Sequence, residues 1–389
     1  MPTANPWLAA VDPSPIGETR RWVLGRSFPD DKPLIDLAQA VPGFPPALEL
    51  RRHLGERLLD PAAHGYTPIL GLAELREAYA AHLSGFYRAP ISASEVGITS
   101  GCNQAFCLAV MSLAQAGDQV ILPRPHYFNH DMWMRMQGIE PVPLDFRPGS
   151  GAVPSPEDAA RLIGPRTRAI VLVTPNNPTG AVYPAATLRA FHDLARARGI
   201  ALILDETYKD FLPEGERPHD LFDDPDWRRT VIHLYSFSKV FALTGYRVGA
   251  VTAGTAMMTE IEKAMDCVSI CPPRIGQEAA LYGLAHLMPW ARGNTRALGA
   301  RADALQAGLA RSNRWRLVSI GAYFAYVEHP FDGRSSIEVS RALADRKNLL
   351  TIPGEMFGKG QDRFVRLAFA NVADDRIAPV LDRLERFTL

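Results

Sequence analysis

Several features are scarce or absent in this chain of 389 residues. Lys plus Arg and Asp plus Glu both number 42, so no net charge attracts nucleic acid or an anionic membrane. No apolar run reaches the ~18 residues that a membrane-spanning helix needs. The first residues, 1–6, lack the basic and apolar regions of a signal peptide. We therefore expect a cytoplasmic protein.

Cysteine is sparse as well, with Cys102, Cys107, Cys267 and Cys271 as the full set. So few thiols predict no disulfide framework and fit a reducing compartment. A zinc site built from the two pairs is an alternative. Because neither pair has the usual two-residue gap between zinc ligands, we expect buried thiols and no metal.

The most informative stretch is Tyr-Ser-Phe-Ser-Lys-Val-Phe-Ala-Leu-Thr-Gly-Tyr-Arg-Val-Gly at residues 235–249. It follows a short apolar run that is typical of a buried strand. The hydroxyls of Ser236 and Ser238 can donate to phosphate oxygens, and Arg247 can clamp a phosphate with two parallel hydrogen bonds. Lys239 lies among apolar neighbours, where desolvation lowers the pKa of an amine and makes it nucleophilic.

A nucleophilic lysine beside a phosphate site is what a pyridoxal phosphate enzyme needs, because the cofactor aldehyde is stored on the lysine as a Schiff base. A surface loop with a solvated lysine is the alternative. The position of Arg247, eight residues after Lys239 and flanked by Gly245 and Gly249, favours the cofactor site.

Ser-x-Ser-Lys followed by Gly-x-Arg-x-Gly resembles the lysine segment of the class I/II aminotransferases, which are fold-type I pyridoxal phosphate enzymes. Other family motifs occur in the same order along nearly the whole chain, and the most specific is Pro-Asn-Asn-Pro-Thr-Gly at 175–180. The resemblance implies an α/β fold, with a mainly parallel seven-stranded sheet in a large domain and a smaller α/β domain. It also implies exchange of an amino group between an L-amino acid and a 2-oxo acid.

The resemblance also divides the chain. We expect residues 1–40 to join the small domain, residues 41–285 to form the large cofactor-binding domain, and residues 286–389 to form the small C-terminal domain. The sequence further predicts one long helical stretch from Gly276 to about Arg311 and one strand over Leu349 to Ile352.

Two polar segments follow unbroken apolar runs, as expected at the ends of buried parallel strands. Asn177 can donate a side-chain hydrogen bond. Asp205 lies where open α/β sheets bind ligands, and a buried carboxylate needs a cationic partner. In the family this partner is the pyridinium nitrogen, while Asn177 and Tyr208 hydrogen-bond the cofactor's phenolic oxygen. A helix N-cap is the alternative role for Asp205.

A second phosphate-binding element is predicted at the turn between the strand at 96–101 and the apolar helix that follows, because backbone N–H groups at a helix N-terminus bind anions. The resemblance assigns Gly101, Cys102 and Asn103 to this turn. It assigns stacking on the cofactor ring to an aromatic residue shortly afterwards, for which we choose Tyr127, with Phe128 and His126 as alternatives.

The resemblance implies a homodimer with shared active sites, in which Tyr66 reaches the cofactor phosphate of the other subunit. Arg366 lies in an apolar strand and corresponds to the arginine that binds the α-carboxylate of the substrate; a structural salt bridge is its alternative role. Asn177 and Ala40 complete the expected substrate site. Ala40 replaces a family glycine in the Pro/Gly-rich loop over the substrate.

Aspartate aminotransferases carry a second arginine, from the partner subunit, shortly before an Asn-Pro-Pro turn that resembles residues 271–273 here. Asp266 lies near that position, and there is no arginine from residue 249 to 273. We therefore predict a preference for neutral, aromatic or basic donors over aspartate, with apolar contacts from Trp7, Ile16, Phe44 and Tyr127. If Asp266 merely faces solvent, Arg274 is the alternative recognition residue.

Other functions remain open at this point. A β-lyase (a C–S lyase) or an aminocyclopropane-carboxylate-synthase-like enzyme uses the same lysine, aspartate and arginine. A DNA-binding regulator needs an N-terminal helix-turn-helix extension, for which residues 1–40 are too short and too Pro-rich. A catalytically dead binding protein is disfavoured by the joint presence of Lys239, Asp205, Asn177 and Arg366.

Overall fold

The computed structural model describes residues 2–213 and 215–389. Its strands form three sheets of seven, four and two strands. In chain order the strands are β1 (Ile35–Asp36), β2 (Val96–Thr99), β3 (Gln119–Arg124), β4 (Glu140–Asp145), β5 (Thr167–Val173), β6 (Ala201–Asp205), β7 (Val231–Ser236), β8 (Gly249–Thr252), β9 (Arg316–Gly321), β10 (Phe324–Glu328), β11 (Leu349–Leu350), β12 (Ile352–Pro353) and β13 (Phe364–Ala368).

Helices cover the faces of these sheets. In chain order they are α1 (Pro6–Ala9), α2 (Pro15–Arg21), α3 (Leu48–Arg57), α4 (Ala73–Tyr87), α5 (Cys102–Met111), α6 (Phe128–Met136), α7 (Pro156–Leu162), α8 (Ala185–Arg198), α9 (Phe237–Val240), α10 (Thr255–Ser269), α11 (Arg274–His286), α12 (Met288–Ala310), α13 (Ser336–Lys347) and α14 (Ile377–Glu385). Within the described ranges, none of them combines the length and apolar character needed to cross a membrane.

The large sheet has the strand order β2-β8-β7-β6-β5-β3-β4. All neighbouring pairs are parallel except those of β8, which runs antiparallel to β7 and β2. The central strands β6 and β7 are buried along their whole length because helices cover both faces, which explains their continuous apolar runs. This mainly parallel sheet confirms the predicted α/β fold.

The other two sheets are built mostly from the C-terminal part of the chain. The four-stranded sheet is antiparallel, with the order β12-β13-β10-β9. The short strand β1 pairs in parallel with β11, so the N-terminal segment is tied to the C-terminal third of the chain. One hydrophobic cluster joins β1, β10, β13, α12 and α14 beneath these sheets.

Two predicted elements are wrong in detail. The helical stretch predicted from Gly276 to Arg311 is two helices, α11 and α12, separated at Leu287. The strand predicted over Leu349 to Ile352 is divided between β11 and β12, which belong to different sheets. In each case a local apolar pattern continues across the end of one element and the start of the next.

The expectation of buried thiols is also only partly correct. Cys102 is buried, Cys107 and Cys271 are half-buried, and Cys267 is exposed, and all four are free. Cys267 lies on the outer face of α10, whose buried side is formed by Met258, Ile261 and Met265. Among the residues that the structure describes, no group of three or more His, Cys, Asp or Glu side chains is arranged to hold a metal ion.

Candidate active site

A cavity of about 250 Å³ lies where the carboxyl ends of β5, β6 and β7 meet the C-terminal sheet. The loops that follow parallel strands all lie at one edge of the sheet, so residues distant in sequence converge there. The sequence-predicted residues that line this cavity are Ile16, Ala40, Cys102, Asn103, Tyr127, Phe128, Asn177, Asp205, Tyr208, Ser236, Ser238, Lys239, Arg247 and Arg366.

Lys239 lies in the single-turn helix α9, directly after β7. Its Nζ donates a hydrogen bond to the carbonyl oxygen of Ala40 at 2.8 Å. Burial, together with the positive charges of Arg247 and Arg366, lowers the pKa of Lys239 to about 8. A substantial fraction of this amine is therefore neutral near physiological pH, as a nucleophile or proton acceptor requires.

A polar cradle surrounds the guanidinium of Arg247. It donates to the Thr244 carbonyl oxygen at 2.9 Å, and its Nη1 lies 3.5 Å from Ser238 Oγ. Gly101, at the N-terminus of α5, lies directly beneath this guanidinium: a Cβ there would come within 2.2 Å of Arg247 Nη2. A Cβ on Gly249 would lie 2.6 Å from the backbone nitrogen of Cys102. The absence of both side chains leaves the N–H groups and hydroxyls of the cradle open to an anion.

The loop after β5 presents Asn177 to the cavity. Its neighbour Asn176 holds the loop, donating to the Val173 carbonyl oxygen at 3.2 Å and accepting from the Thr179 backbone at 3.1 Å. Asn177 Oδ1 accepts a hydrogen bond from Arg366 Nη1 at 3.0 Å. The NH₂ group of Asn177 is thereby left to donate to a bound molecule.

Arg366 is buried on β13 without a carboxylate partner anywhere in the described part of the chain. Its guanidinium also donates to the Ala38 carbonyl oxygen and lies over the rings of Phe324 and Phe357, while its Nε has no hydrogen-bond acceptor. Burial lowers its pKa to about 10. This geometry excludes the structural salt bridge considered above and fits a site for an anionic ligand.

Asp205 ends β6 and is buried. Its Oδ1 accepts from the Thr207 backbone N–H at 3.0 Å, and its Oδ2 lies 3.5 Å from Nε2 of His130. Burial raises the pKa of Asp205 and lowers that of His130 to about 3, so the imidazole is neutral. Within the described ranges, Asp205 therefore has no cationic partner, although a buried carboxylate calls for one.

The aromatic residues of the cavity occupy two sides. Tyr208 is buried against Tyr323 and Phe324, with both ring centroids 5.3 Å away. Tyr127 donates from its hydroxyl to Asn103 Oδ1 at 3.3 Å. Phe128, one of its alternatives, also lines the cavity, whereas His126 faces a different one.

Several predicted residues lie outside the cavity. Tyr66 is 79% exposed, and Phe44 packs edge-on against Trp290. Asp266 is exposed on α10, and Arg274 pairs with Glu278 at 3.3 Å. Trp7 covers Gly138, and only Ile16 of the proposed N-terminal contacts reaches the cavity.

Several contributors to the site were not evident from the sequence, and His130 beneath Asp205 is the clearest of them. His130 stacks on Phe106 at 3.8 Å between ring centroids. His130 lies in the first turn of α6 and gave no local signal, because its contact with Phe106 depends on how α5 and α6 pack. The cavity is also lined by Gln39, Val41, Val173, Thr207 and Thr244, to which no role was assigned from the sequence.

Comparisons with known proteins show the family to which this chain belongs. A sequence profile described as "Aminotransferase class I and II" matches residues 30–384. An aspartate aminotransferase of Sulfurisphaera tokodaii is 30% identical over 91% of this chain and 90% of its own. An arginine–pyruvate transaminase of Pseudomonas aeruginosa is 31% identical over 78% of this chain and 77% of its own.

A solved structure shows the same fold. The aspartate aminotransferase from Thermus thermophilus with maleate has a TM-score of 0.88 and 27% sequence identity, covering 99% of this chain and 100% of that one. The family depends on pyridoxal phosphate. The residues present here fit that cofactor, since a buried Asp205 without a cationic partner suits a protonated ring nitrogen and the open cradle around Arg247 suits a phosphate. The chain belongs to the class I and II aminotransferases and is a pyridoxal phosphate-dependent transaminase.

Proposed function

We propose that this one cavity carries out amino-group exchange between an L-amino acid and a 2-oxo acid, with Lys239, Asp205 and Tyr208 as its catalytic residues. The observation that carries the proposal is the coexistence of a lysine with a pKa of about 8 and a buried arginine without a carboxylate partner in the same cavity. The first suits proton transfer and the second suits the α-carboxylate of an amino acid.

The cofactor would be held by residues at the strand ends. The lining residues that would hold it are Cys102, Asn103, Tyr127, Asn177, Asp205, Tyr208, Ser236, Ser238, Lys239 and Arg247. Gly101 beneath the Arg247 guanidinium and Tyr66 from a second subunit would complete the set. Pyridoxal phosphate supplies an electrophilic aldehyde and a ring that delocalises the electron pair left when the α-proton departs. Asp205 supports this chemistry because its carboxylate would keep the ring nitrogen protonated.

The protein's own residues account for positioning and proton transfer. Arg366 and Asn177 would fix the amino acid by its α-carboxylate, and the Ala40 carbonyl holds Lys239 Nζ at the cavity. The neutral Nζ of Lys239 would then accept the α-proton and return it as a general acid. The hydroxyl of Tyr208 would donate to the phenolic oxygen of the cofactor.

The assembly and location also belong to the proposal. A homodimer with shared sites is supported by the exposure of Tyr66, and a cytoplasmic location by the sparse cysteine content. The division into residues 1–40, 41–285 and 286–389 is supported by the pairing of β1 with β11, which attaches the N-terminal segment to the C-terminal sheets.

Mixed dimers test the shared site. We expect Tyr66→Phe subunits mixed with Lys239→Ala subunits to recover about a quarter of wild-type activity at random exchange, because hybrid dimers hold one site free of both changes. The measurement is transaminase activity after subunit exchange, compared with each parent protein. Activity equal to the average of the parents, or a fully active monomer by light scattering, would contradict the shared site.

We further propose that the enzyme prefers neutral, aromatic or basic donors over aspartate. Besides Lys239, the cations that line the described cavity are Arg247 and Arg366, which are assigned to the phosphate and the α-carboxylate. Ile16, Val41 and Phe128 contribute apolar surface to the same wall. Asp266 and Arg274 lie outside the cavity of the single chain, and residues 249–273, from which a partner subunit would supply a second arginine, contain none.

A donor screen tests both the reaction and this preference. We expect kcat/KM for phenylalanine, methionine, lysine or arginine to exceed that for aspartate and glutamate with a common 2-oxo acid, because a second carboxylate has no cation to pair with. Aspartate emerging as the best donor by tenfold, about 1.4 kcal/mol of transition-state preference, would contradict the preference. Release of ammonia and pyruvate without amino-group exchange would indicate a lyase instead.

A further inference from the structure

A second, larger cavity lies against the active-site cavity. It measures about 880 Å³ and lies between the N-terminal segment, α6 and the loop at residues 355–359. Among the described lining residues, Phe128 is shared by the two cavities. Its side chain is therefore the partition between them.

The partition belongs to a continuous apolar cluster. Phe128 belongs to a buried cluster against which Ile16 and Tyr127 of the first cavity and Trp22 and Met132 of the second are packed. Met132 lies one helical turn after Phe128 on α6, so the two side chains share a face of that helix. The part of the second cavity next to Phe128 is thus lined by hydrophobic side chains.

Three charged side chains at the second cavity, Arg124, Asp131 and Arg341, are already engaged. Arg124 forms a two-pronged ion pair with Asp145 at 2.7 Å, and Asp131 pairs with Arg135 at 2.8 Å. Arg341 lies over the ring of Trp22. These three side chains are therefore already held by groups of the protein.

Phe128 is also close to the expected anchor of the substrate. The guanidinium of Arg366 lies 5.1 Å from the ring of Phe357, and that ring lies 6.0 Å from the ring of Phe128. An amino acid held by its α-carboxylate at Arg366 would thus direct its side chain within reach of the partition.

We propose that Phe128 determines how long an apolar side chain the enzyme accepts, and that the second cavity takes the part of the chain that passes it. The substrate class is 2-amino acids and 2-oxo acids with long, unbranched or aromatic side chains. This inference rests on the proposed role of Arg366 in amino-group exchange.

Equilibrium binding of unreactive carboxylates tests the partition without turnover. For the cofactor-loaded enzyme, calorimetry with straight-chain acids from acetate to decanoate should show Kd falling about fourfold per added methylene until the chain meets Phe128. Phe128→Ala should extend this gain to longer acids. Phe128→Leu should give an intermediate limit, and it guards against a loss of fold because it keeps a large apolar side chain. An unchanged length limit in both variants overturns the proposal.

A filling substitution provides the matched control. In the Phe128→Ala background, Met132→Trp should return the length limit toward that of the wild type, while kcat/KM for the short donor 2-aminobutanoate stays at the value of the Phe128→Ala parent. An unaffected limit contradicts the second cavity as the receiving space. If carboxylates bind with the expected length dependence but no donor exchanges its amino group, the proposed function fails while the partition stands.

Discussion

Lys239→Ala is expected to lower kcat for amino-group exchange by at least about 10⁴-fold, because the variant loses both the nucleophilic amine and the general base. The Nζ of Lys239 is held by the Ala40 carbonyl at the edge of the sheet, and no second lysine lines this cavity among the described residues. Single-turnover kinetics with a preferred donor measure the chemical step directly. Turnover close to that of the wild type would refute the assignment.

The same variant should still bind the cofactor. Ser236, Ser238 and Arg247 remain in place, so pyridoxal phosphate should survive gel filtration without becoming fixed by borohydride, whereas the wild type should gain one covalent label at Lys239. Because the pKa of Lys239 is about 8, covalent loading of the wild type should increase as pH rises through this value. Lys263→Ala, on the exposed face of α10, is the control and should behave as wild type. A label on another lysine contradicts the assignment.

Features encoded by neighbouring residues could be predicted from the sequence. The buried runs of β5, β6 and β7 follow from burial on both faces, which leaves a continuous apolar pattern. The lysine segment is also local, since Ser236 to Arg247 span a single strand end and turn. Its chemistry could thus be inferred before the fold was known.

Features that depend on packing could not be predicted in the same way. The neutral His130 beneath Asp205 comes from a different helix, and its role depends on the contact between α5 and α6. The break between α11 and α12 did leave a signal, because Pro289 stands in the first turn of α12, where proline is favoured. The apolar pattern on both sides of Leu287 concealed it.

Some residues were assigned a role by the resemblance although their contacts depend on a second subunit. Tyr66 is exposed and Asp266 is on the outer face of α10, although the resemblance assigns functional positions to both. A single chain determines which groups converge at its own strand ends. It does not provide the neighbours that a partner would bring, so both roles stay predictions.

Replacing Arg366 should change activity and stability in opposite directions. Arg366→Met should lower kcat/KM for every donor by roughly 10²–10³-fold, because a buried charge pair with the α-carboxylate is lost. Burial without a carboxylate lowers the pKa of Arg366 to about 10, a sign that the folded protein disfavours this cation. An apolar side chain removes that cost, so the free energy of unfolding without substrate should rise by roughly 1 kcal/mol or more.

Thermal unfolding and kinetics of three variants separate these effects. An unreactive carboxylate should raise the Tm of the wild type by mass action and leave the Tm of Arg366→Met unchanged. Arg366→Lys should be intermediate in kcat/KM, since an ammonium keeps the charge but cannot fork onto both carboxylate oxygens. Arg363→Met is the matched control, because Arg363 pairs with Asp332 and Glu328 at the start of the same strand and should leave kcat/KM unchanged. A carboxylate that stabilises Arg366→Met as strongly as the wild type would show that the α-carboxylate binds elsewhere. A lower Tm of ligand-free Arg366→Met would mean that its hydrogen bonds to Asn177 and Ala38 outweigh the cost of burying its charge.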